Sequence, residues 1–146
     1  MKPEKFINLK KKTFYILSFT WGLPLSVIGL IVCCALMAVG YRPKKYGHCY
    51  YIEIGKDWGG LEFGWFFLVN KNPSSFIKRH ELGHGYQNAC IFGWLMPILW
   101  LMSAARYLAK NLLKMDIDYY SWWYESDAND IGNAIMDSKA FFKWES

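Results

Sequence analysis

The chain has 146 residues, of which 53% are hydrophobic and 19% aromatic, with eight tryptophans and a formal net charge of +5. This length suits one domain, and a soluble core of that size cannot bury so much aromatic surface, so part of the surface is expected to contact lipid or a partner. Five of the 17 basic residues lie in the first twelve positions, which favours a membrane as partner. No nucleic-acid recognition motif accompanies this charge, which argues against nucleic acid as a partner.

The first predicted element is a transmembrane helix over residues 14–41, a run of 28 positions without a charged side chain. A helix needs about 20 apolar residues to cross a bilayer. Aromatic residues lie near both ends of the run and basic residues flank it, as is typical of membrane spans. Residues 1–41 are therefore predicted to be a basic arm and a membrane anchor, kinked near Gly22 and Pro24. At least one span is expected, and its flanking charges favour a cytoplasmic amino terminus by a thin margin.

Residues 42–74 have the pattern of a small antiparallel sheet. Apolar and polar residues alternate at 50–55, two glycines signal a turn, and residues 61–69 form a second strand-like run. Two or three antiparallel strands joined by a turn near residues 56–60 are predicted. Ser74 or Ser75 is then the expected N-cap of the next helix.

That next helix carries His80, Glu81 and His84 in the sequence H-E-L-G-H. Residues four apart share one face of a helix, so both imidazoles can bind one metal ion. Glu81 lies one step around the helix, where it can act as a general base on a water molecule. The pattern predicts a catalytic site with Zn²⁺ as the cofactor. If the match is a coincidence, the two histidines lie on a partly exposed helix without a metal.

A second apolar segment, residues 89–105, follows within about one turn and contains Gly93 and Pro97. It is short for a span and is predicted to be a re-entrant or buried helix. A simple crossing would place the two histidines and any ligand further along the chain on opposite sides of the bilayer.

A catalytic zinc ion usually has three protein ligands, so a third must come from elsewhere. Glu125, on a helix predicted from Ser121 onward, has aromatic neighbours that do not suit an ordinary exposed glutamate. It is the predicted third ligand, and His48 is the alternative. Asn129, four residues further on, shares its helix face and can orient a ligand by hydrogen bonding, and Tyr124 is another candidate for that role.

H-E-L-G-H and the later E-S-D-A-N at 125–129 resemble the gluzincin metallopeptidases, in particular the membrane-bound HtpX-like and CAAX-protease-like group. The signature of that group is H-E-x-G-H followed by E-x-x-A-D. Gly83 matches the glycine, Glu125 the third ligand and Ala128 the alanine, whose small side chain lets two helices pack closely, whereas Asn129 replaces the aspartate. The resemblance covers about ten motif positions. It implies a minimal relative with a zincin-like domain over residues 42–146 and a substrate-aligning edge strand, for which residues 61–69 are the candidate.

The predicted fold is α+β and membrane-anchored, with a transmembrane helix, a small antiparallel sheet, a zincin-like active helix, a second apolar helix and a C-terminal helix. The predicted function is a membrane-associated zinc metalloendopeptidase acting on peptide or protein substrates in or at the lipid bilayer. The alternative is a non-catalytic integral membrane protein, either a degenerate metallopeptidase relative or an interaction module. Donors for the reaction's oxyanion are left open among four tyrosines. They are Tyr86, Tyr119, Tyr120 and Tyr124.

Overall fold

A computed structural model describes residues 2–138 and has a mixed α+β fold, as the sequence predicts. The helices are α1 (Lys11–Ser18), α2 (Leu23–Ala38), α3 (Ser75–Gln87), α4 (Met96–Asn111) and α5 (Trp123–Asp137). The strands are β1 (Lys44–Tyr46), β2 (Cys49–Glu53), β3 (Gly60–Phe63) and β4 (Phe66–Val69). A π-helical segment (Asn88–Phe92) and a 3-10 turn (Gly93–Leu95) join α3 to α4. The predicted C-terminal helix is α5, and residues 139–146 lie outside the described part of the chain.

The strands form one sheet in the order β1-β2-β4-β3. Two antiparallel hairpins, β1–β2 and β3–β4, each turn over two residues that begin with a glycine in the left-handed region, Gly47 and Gly64. Strands β2 and β4 run parallel, so the prediction of a purely antiparallel sheet is wrong. The loop at 54–59 crosses to the far edge of the sheet, and β4 then returns between β2 and β3. The predicted turn near residues 56–60 therefore belongs to a crossover and not to a hairpin.

The kink predicted near Gly22 and Pro24 is confirmed, but it is a full break: the run divides into α1 and α2, which are bent by 99° relative to each other, so residues 14–41 are not one helix. The break follows from Pro24. A proline ring clashes with the carbonyl four residues earlier, so no helix runs unbroken from Thr20 through Pro24. The proline lies instead in the first turn of α2, where the missing N–H would be unpaired in any case. The side-chain amide of Asn88 donates to the carbonyl oxygen of Gly22 at 3.2 Å and holds the corner against the π-helical segment.

The amino-terminal segment packs into the same hydrophobic core as the sheet and α3. Phe14 of α1 is fully buried, and its ring centroid lies 4.9 Å from that of Tyr86 in α3. In α2, Leu25 and Cys33 are also buried. Residues 1–41 thus contribute to the core as well as to the outer surface.

Helix α3 begins at its predicted N-cap and packs closely against α5. The Ser74 hydroxyl accepts a hydrogen bond from the Ile77 N–H at 3.2 Å, which confirms the N-cap. A methyl group added at Gly83 would lie 1.9 Å from the carbonyl oxygen of Ala128, which is itself fully buried. Likewise, one added at Gly132 would lie 1.9 Å from a backbone oxygen of α3. The expected close packing at Ala128 is confirmed, and it depends on two glycines as well as on the alanine.

The chain from Ser75 to Asn111 is long and apolar enough to cross a membrane, and 22% of its most apolar window is buried. A straight helix would place Ser103 roughly 28 Å beyond His84. Both residues nevertheless contact the same carboxylate, that of Glu125. The chain must therefore reverse between α3 and α4. The reversal lies at Gly93, which has a left-handed φ of 47°. A methyl group on its Cα would collide with the ring of Trp21, so only glycine fits here.

Helices α2 and α4 pack against each other and present a broad apolar surface to the outside. The large exposed side chains on α2 are Val27, Ile28, Leu30, Ile31 and Met37. Those on α4 and the turn before it are Trp94, Leu95, Ile98, Leu101, Met102 and Leu108. Soluble monomers rarely expose so large a continuous apolar patch, so this surface suits contact with lipid or a partner.

We expect Gly83→Ala to separate α3 from α5 and to lower stability by about 1–3 kcal/mol, because the new methyl group meets backbone that cannot move alone. Thermal unfolding in detergent micelles measures this effect. Asp130→Ala, on the exposed side of α5, is the control and should unfold within about 0.5 kcal/mol of the parent. Equal unfolding temperatures for the two variants would contradict the close helix contact.

Candidate metal centre

Three of the predicted site residues, His80, His84 and Glu125, form one buried cluster that can hold a metal ion. The Nε2 atoms of the two histidines lie 3.1 Å apart, and each is 3.1 Å from Oε2 of Glu125. These atoms form an equilateral triangle. Helix α3 supplies two corners because residues four apart share a face, and the close packing with α5 supplies the third.

The far sides of both imidazole rings are held by amide groups. The Nδ1 atom of His84 lies 2.7 Å from Oε1 of Gln87, whose own amide nitrogen donates to the carbonyl oxygen of Tyr124 at 2.9 Å. The second bond fixes the orientation of the Gln87 amide, so His84 must carry a proton on Nδ1. Nδ1 of His80 lies 2.9 Å from Oδ1 of Asn129, which accepts a proton from it when His80 carries its proton on Nδ1. With both rings in this form, both Nε2 atoms direct a lone pair at the centre of the cluster.

Two nitrogen lone pairs and a carboxylate oxygen thus meet without a hydrogen-bond donor between them. Such an arrangement needs a cation or extra protons to be stable. Ligand atoms about 2.1 Å from a first-row metal ion are roughly 3.0 Å apart on an octahedral face and roughly 3.4 Å apart in a tetrahedral site. The observed 3.1 Å spacing matches that range. The cluster therefore fits one divalent metal ion with the remaining coordination positions open.

The second oxygen of Glu125 is fixed from another direction. The hydroxyl of Ser103, in α4, donates to Oε1 of Glu125 and also hydrogen-bonds the hydroxyl of Tyr119. Burial by itself raises the pKa of Glu125, but hydrogen bonds from His80, His84 and Ser103 hold it well below its ordinary value. The hydrogen bonds from the imidazoles need protons on Nε2, and a metal ion would take the place of those protons beside the ionised carboxylate.

The glutamate of the motif, Glu81, lies at a cavity of about 390 Å³ that the two histidines also line. Strand β3 passes directly beside it. A methyl group added at Gly60 would lie 2.4 Å from Oε1 of Glu81, so the glycine lets the strand approach the carboxylate. Along α4, the cavity-lining positions recur with the spacing of one helix face. They are Trp100, Ser103, Ala104, Tyr107 and Leu108.

Other predicted candidates lie in different surroundings. His48 is buried away from the cluster, where the hydroxyl of Tyr86 contacts its Nδ1 at 2.7 Å. Burial, with lysines nearby, lowers the pKa of His48 to about 4, so it is a neutral core histidine and the alternative third ligand is wrong. The same contact removes Tyr86 from the tyrosines that can face a substrate. The ring of Tyr124 lies 4.7 Å from that of His84, while its hydroxyl donates to the sulfur of Met96.

Three polar residues of the site were not predicted. Gln87 follows His84 by three residues on the same helix face, a spacing from which a hydrogen bond between the two side chains could have been predicted. Ser103 is a lone polar residue late in the run 89–105, and that run was interpreted only for its apolar character. Glu62 of β3 lines the cavity, and burial raises its pKa to about 8. Nothing in the sequence around Glu62 distinguishes it from a strand residue facing solvent.

Comparison of the chain with protein-family models, with curated proteins and with solved structures finds no match. The resemblance to gluzincins therefore depends on the motif residues themselves.

We expect the purified protein to bind one divalent metal ion per chain, and His80→Ala or Glu125→Ala to abolish this binding. Asn129→Ala should weaken it by about 10- to 100-fold, because the imidazole of His80 loses its orienting partner. Metal content by mass spectrometry of the purified protein, followed by titration of the metal-free form, measures both effects. Asp130→Ala is the control on the same helix. Full metal content in Glu125→Ala would refute the assignment of the third ligand.

Proposed function

We propose that the protein is a membrane-associated zinc metallopeptidase. The observation that carries this proposal is the triangle of two imidazole nitrogens and one carboxylate oxygen, with the buried Glu81 at the adjoining cavity. Two histidines and a carboxylate also suit ferrous iron. Zinc is favoured because the histidines lie four residues apart on one helix and enclose a glutamate, the arrangement typical of zinc peptidases.

A zinc ion at this site would polarise the scissile carbonyl and lower the pKa of a water molecule. Glu81 takes the proton from that water and passes it to the departing amine. Gly60 has a positioning role, because the close passage of β3 leaves the Glu81 side chain little freedom to turn away. Asn129 and Gln87 keep the two imidazoles in the protonation form that can bind metal.

The substrate is expected to align along β3. This strand is last in the sheet order, so within the described residues its outer edge pairs with no strand. Strand β4 lies inside the sheet, which narrows the substrate-aligning segment expected at 61–69 to its first part. An extended peptide added beside Gly60 and Leu61 would pass in front of Glu81.

The choice of oxyanion donor narrows to two tyrosines. Tyr119 lines the cavity, but its hydroxyl is already engaged with Ser103. The ring of Tyr120 lies 5.3 Å from that of His80, and Tyr120 lines a smaller neighbouring pocket together with His80 and Glu81. We assign the oxyanion role to Tyr120 because it reaches this shared pocket and its hydroxyl has no hydrogen-bond partner among the described residues.

A lipid environment follows from the outer surface of α2 and α4. The helix that lines the cavity with one face presents large apolar side chains on the other, including Ile98 and Leu101. The lysine-rich amino-terminal segment suits anionic lipid headgroups. Substrates are then membrane proteins, or chains presented at the bilayer, cut close to its surface.

We expect Glu81→Gln to keep its metal and to lose hydrolysis by at least about 10²-fold, because the amide cannot accept the proton from water. Digestion of casein by the zinc-loaded protein in detergent, with new amino termini identified by mass spectrometry, measures the activity. Glu53→Gln, a matched change on β2 whose carboxylate pairs with Lys44 and does not line the cavity, should digest casein like the parent. A metal-loaded parent that cuts no peptide would favour the alternative, a non-catalytic membrane protein.

The membrane placement predicts that positions 78 and 118 lie on the same side of a bilayer, since both flank the one metal site. One cysteine at a time is introduced at Lys78 or Asp118, in a background where the exposed Cys34 and the partly exposed Cys90 are replaced by serine and Cys33 and Cys49 stay buried. Each variant is labelled in sealed vesicles with a membrane-impermeant maleimide. Both should react from one side only. Labelling from opposite sides would mean that the segment between them spans the membrane, and the shared site would then be refuted.

A further inference from the structure

One carboxylate at the cavity has no role in the hydrolysis described above. Glu62 of β3 is 3% exposed. Its Oε1 accepts a hydrogen bond from the backbone N–H of Gly64, while its Oε2 is buried and has no partner among the described residues. A buried carboxylate oxygen without a partner is costly, and burial raises the pKa of Glu62 accordingly. A ligand that places a positive charge beside Oε2 would relieve this cost.

The balance of charge around the cavity also favours a cationic ligand. Without a cation beside it, burial favours the neutral form of Glu62, and a cation bound beside Oε2 would stabilise the ionised form. No lysine or arginine is among the described residues that line this cavity, and Lys110 lies at a smaller neighbouring pocket. A positive charge beside Glu62 would therefore come from a ligand.

The remaining walls suit a long side chain that ends in a cation. Trp58, Leu61 and Trp100 line the same cavity as Glu62, and apolar and aromatic side chains make up most of its lining. Aromatic faces attract cations, and apolar walls pack the stem of a lysine or arginine. The indole N–H of Trp100 is also buried without a partner among the described residues, so it is free to donate to a carbonyl oxygen of the same ligand.

We propose that this cavity binds a basic group of the peptide substrate, with its positive charge on Glu62, and that cleavage occurs beside that group. The basic group is either the side chain of a lysine or arginine or the free amino terminus of the peptide. The assignment to a substrate rests on the proposed peptidase function, whereas the binding of a cation at Glu62 does not.

Two small probes test the site directly. The n-butylguanidinium cation and the neutral, nearly isosteric n-butylurea are titrated by calorimetry into the zinc-loaded protein in a non-ionic detergent. The parent should bind the cation at least about tenfold more tightly than the urea. Glu62→Gln should remove this preference and change the affinity for the urea by less than about twofold. Metal content and unfolding temperature confirm that the variant is folded, and Glu53→Gln should behave as the parent.

Equal affinity of the parent for both probes, or an unchanged preference in Glu62→Gln, would overturn the proposal. Competition against bound n-butylguanidinium then separates the two sources of the cation. Displacement by an acetylated peptide with one internal arginine assigns a side-chain site, and displacement by a free-amino peptide without basic side chains assigns an amino-terminal site. If the cation binds through Glu62 but no peptide is hydrolysed, the peptidase function fails while the cation site stands. If casein is cut but the protein binds n-butylguanidinium no more tightly than n-butylurea, the cation site fails while the peptidase function stands.

Discussion

The site depends on three electron-rich atoms that are held 3.1 Å apart with no donor between them. Gln87 is the residue that forces this arrangement, because its amide nitrogen is committed to a backbone carbonyl and its oxygen must take the Nδ1 proton of His84. With the proton of His84 on Nδ1, its Nε2 carries a lone pair that faces Glu125. Without a cation these groups repel one another across the α3–α5 interface. Metal binding and the packing of these two helices are therefore expected to stabilise each other.

The same interface explains why glycine occurs where it does. A metal ion about 2.1 Å from its ligands tolerates little error in the separation of the two helices. Gly83 and Gly132 allow backbone to contact backbone, so rigid groups set that separation in place of flexible side chains. Gly60 acts in the same way between β3 and Glu81. These three glycines thus set two separations: that between α3 and the helix α5 that carries Glu125, and that between β3 and Glu81.

The sequence predicted what local periodicity determines. The spacing of His80 and His84, the cap at Ser74 and the unusual neighbourhood of Glu125 each depend on a few adjacent residues and on helix geometry. Features set by distant contacts were not predictable in this way. The parallel pairing of β2 with β4 and the burial of Glu62 depend on where a loop crosses the sheet. The break before α2 is an intermediate case: the kink near Gly22 and Pro24 was predicted because the effect of a proline on the carbonyl four residues earlier is local, whereas the size of the bend depends on distant contacts such as that of Asn88 with Gly22.

The apolar run between the two halves of the site sets the strongest limit on how the protein can meet a membrane. Glu125 bonds to Ser103 on one side and contacts His84 on the other, so α3 and α4 must return to the same place. The left-handed Gly93 allows that return. Helix α4 then forms one wall of the cavity and also part of the exposed apolar surface. In the proposed peptidase, a substrate in the membrane or at its surface would reach the cavity along this wall, so we expect such substrates to be favoured over chains free in solution.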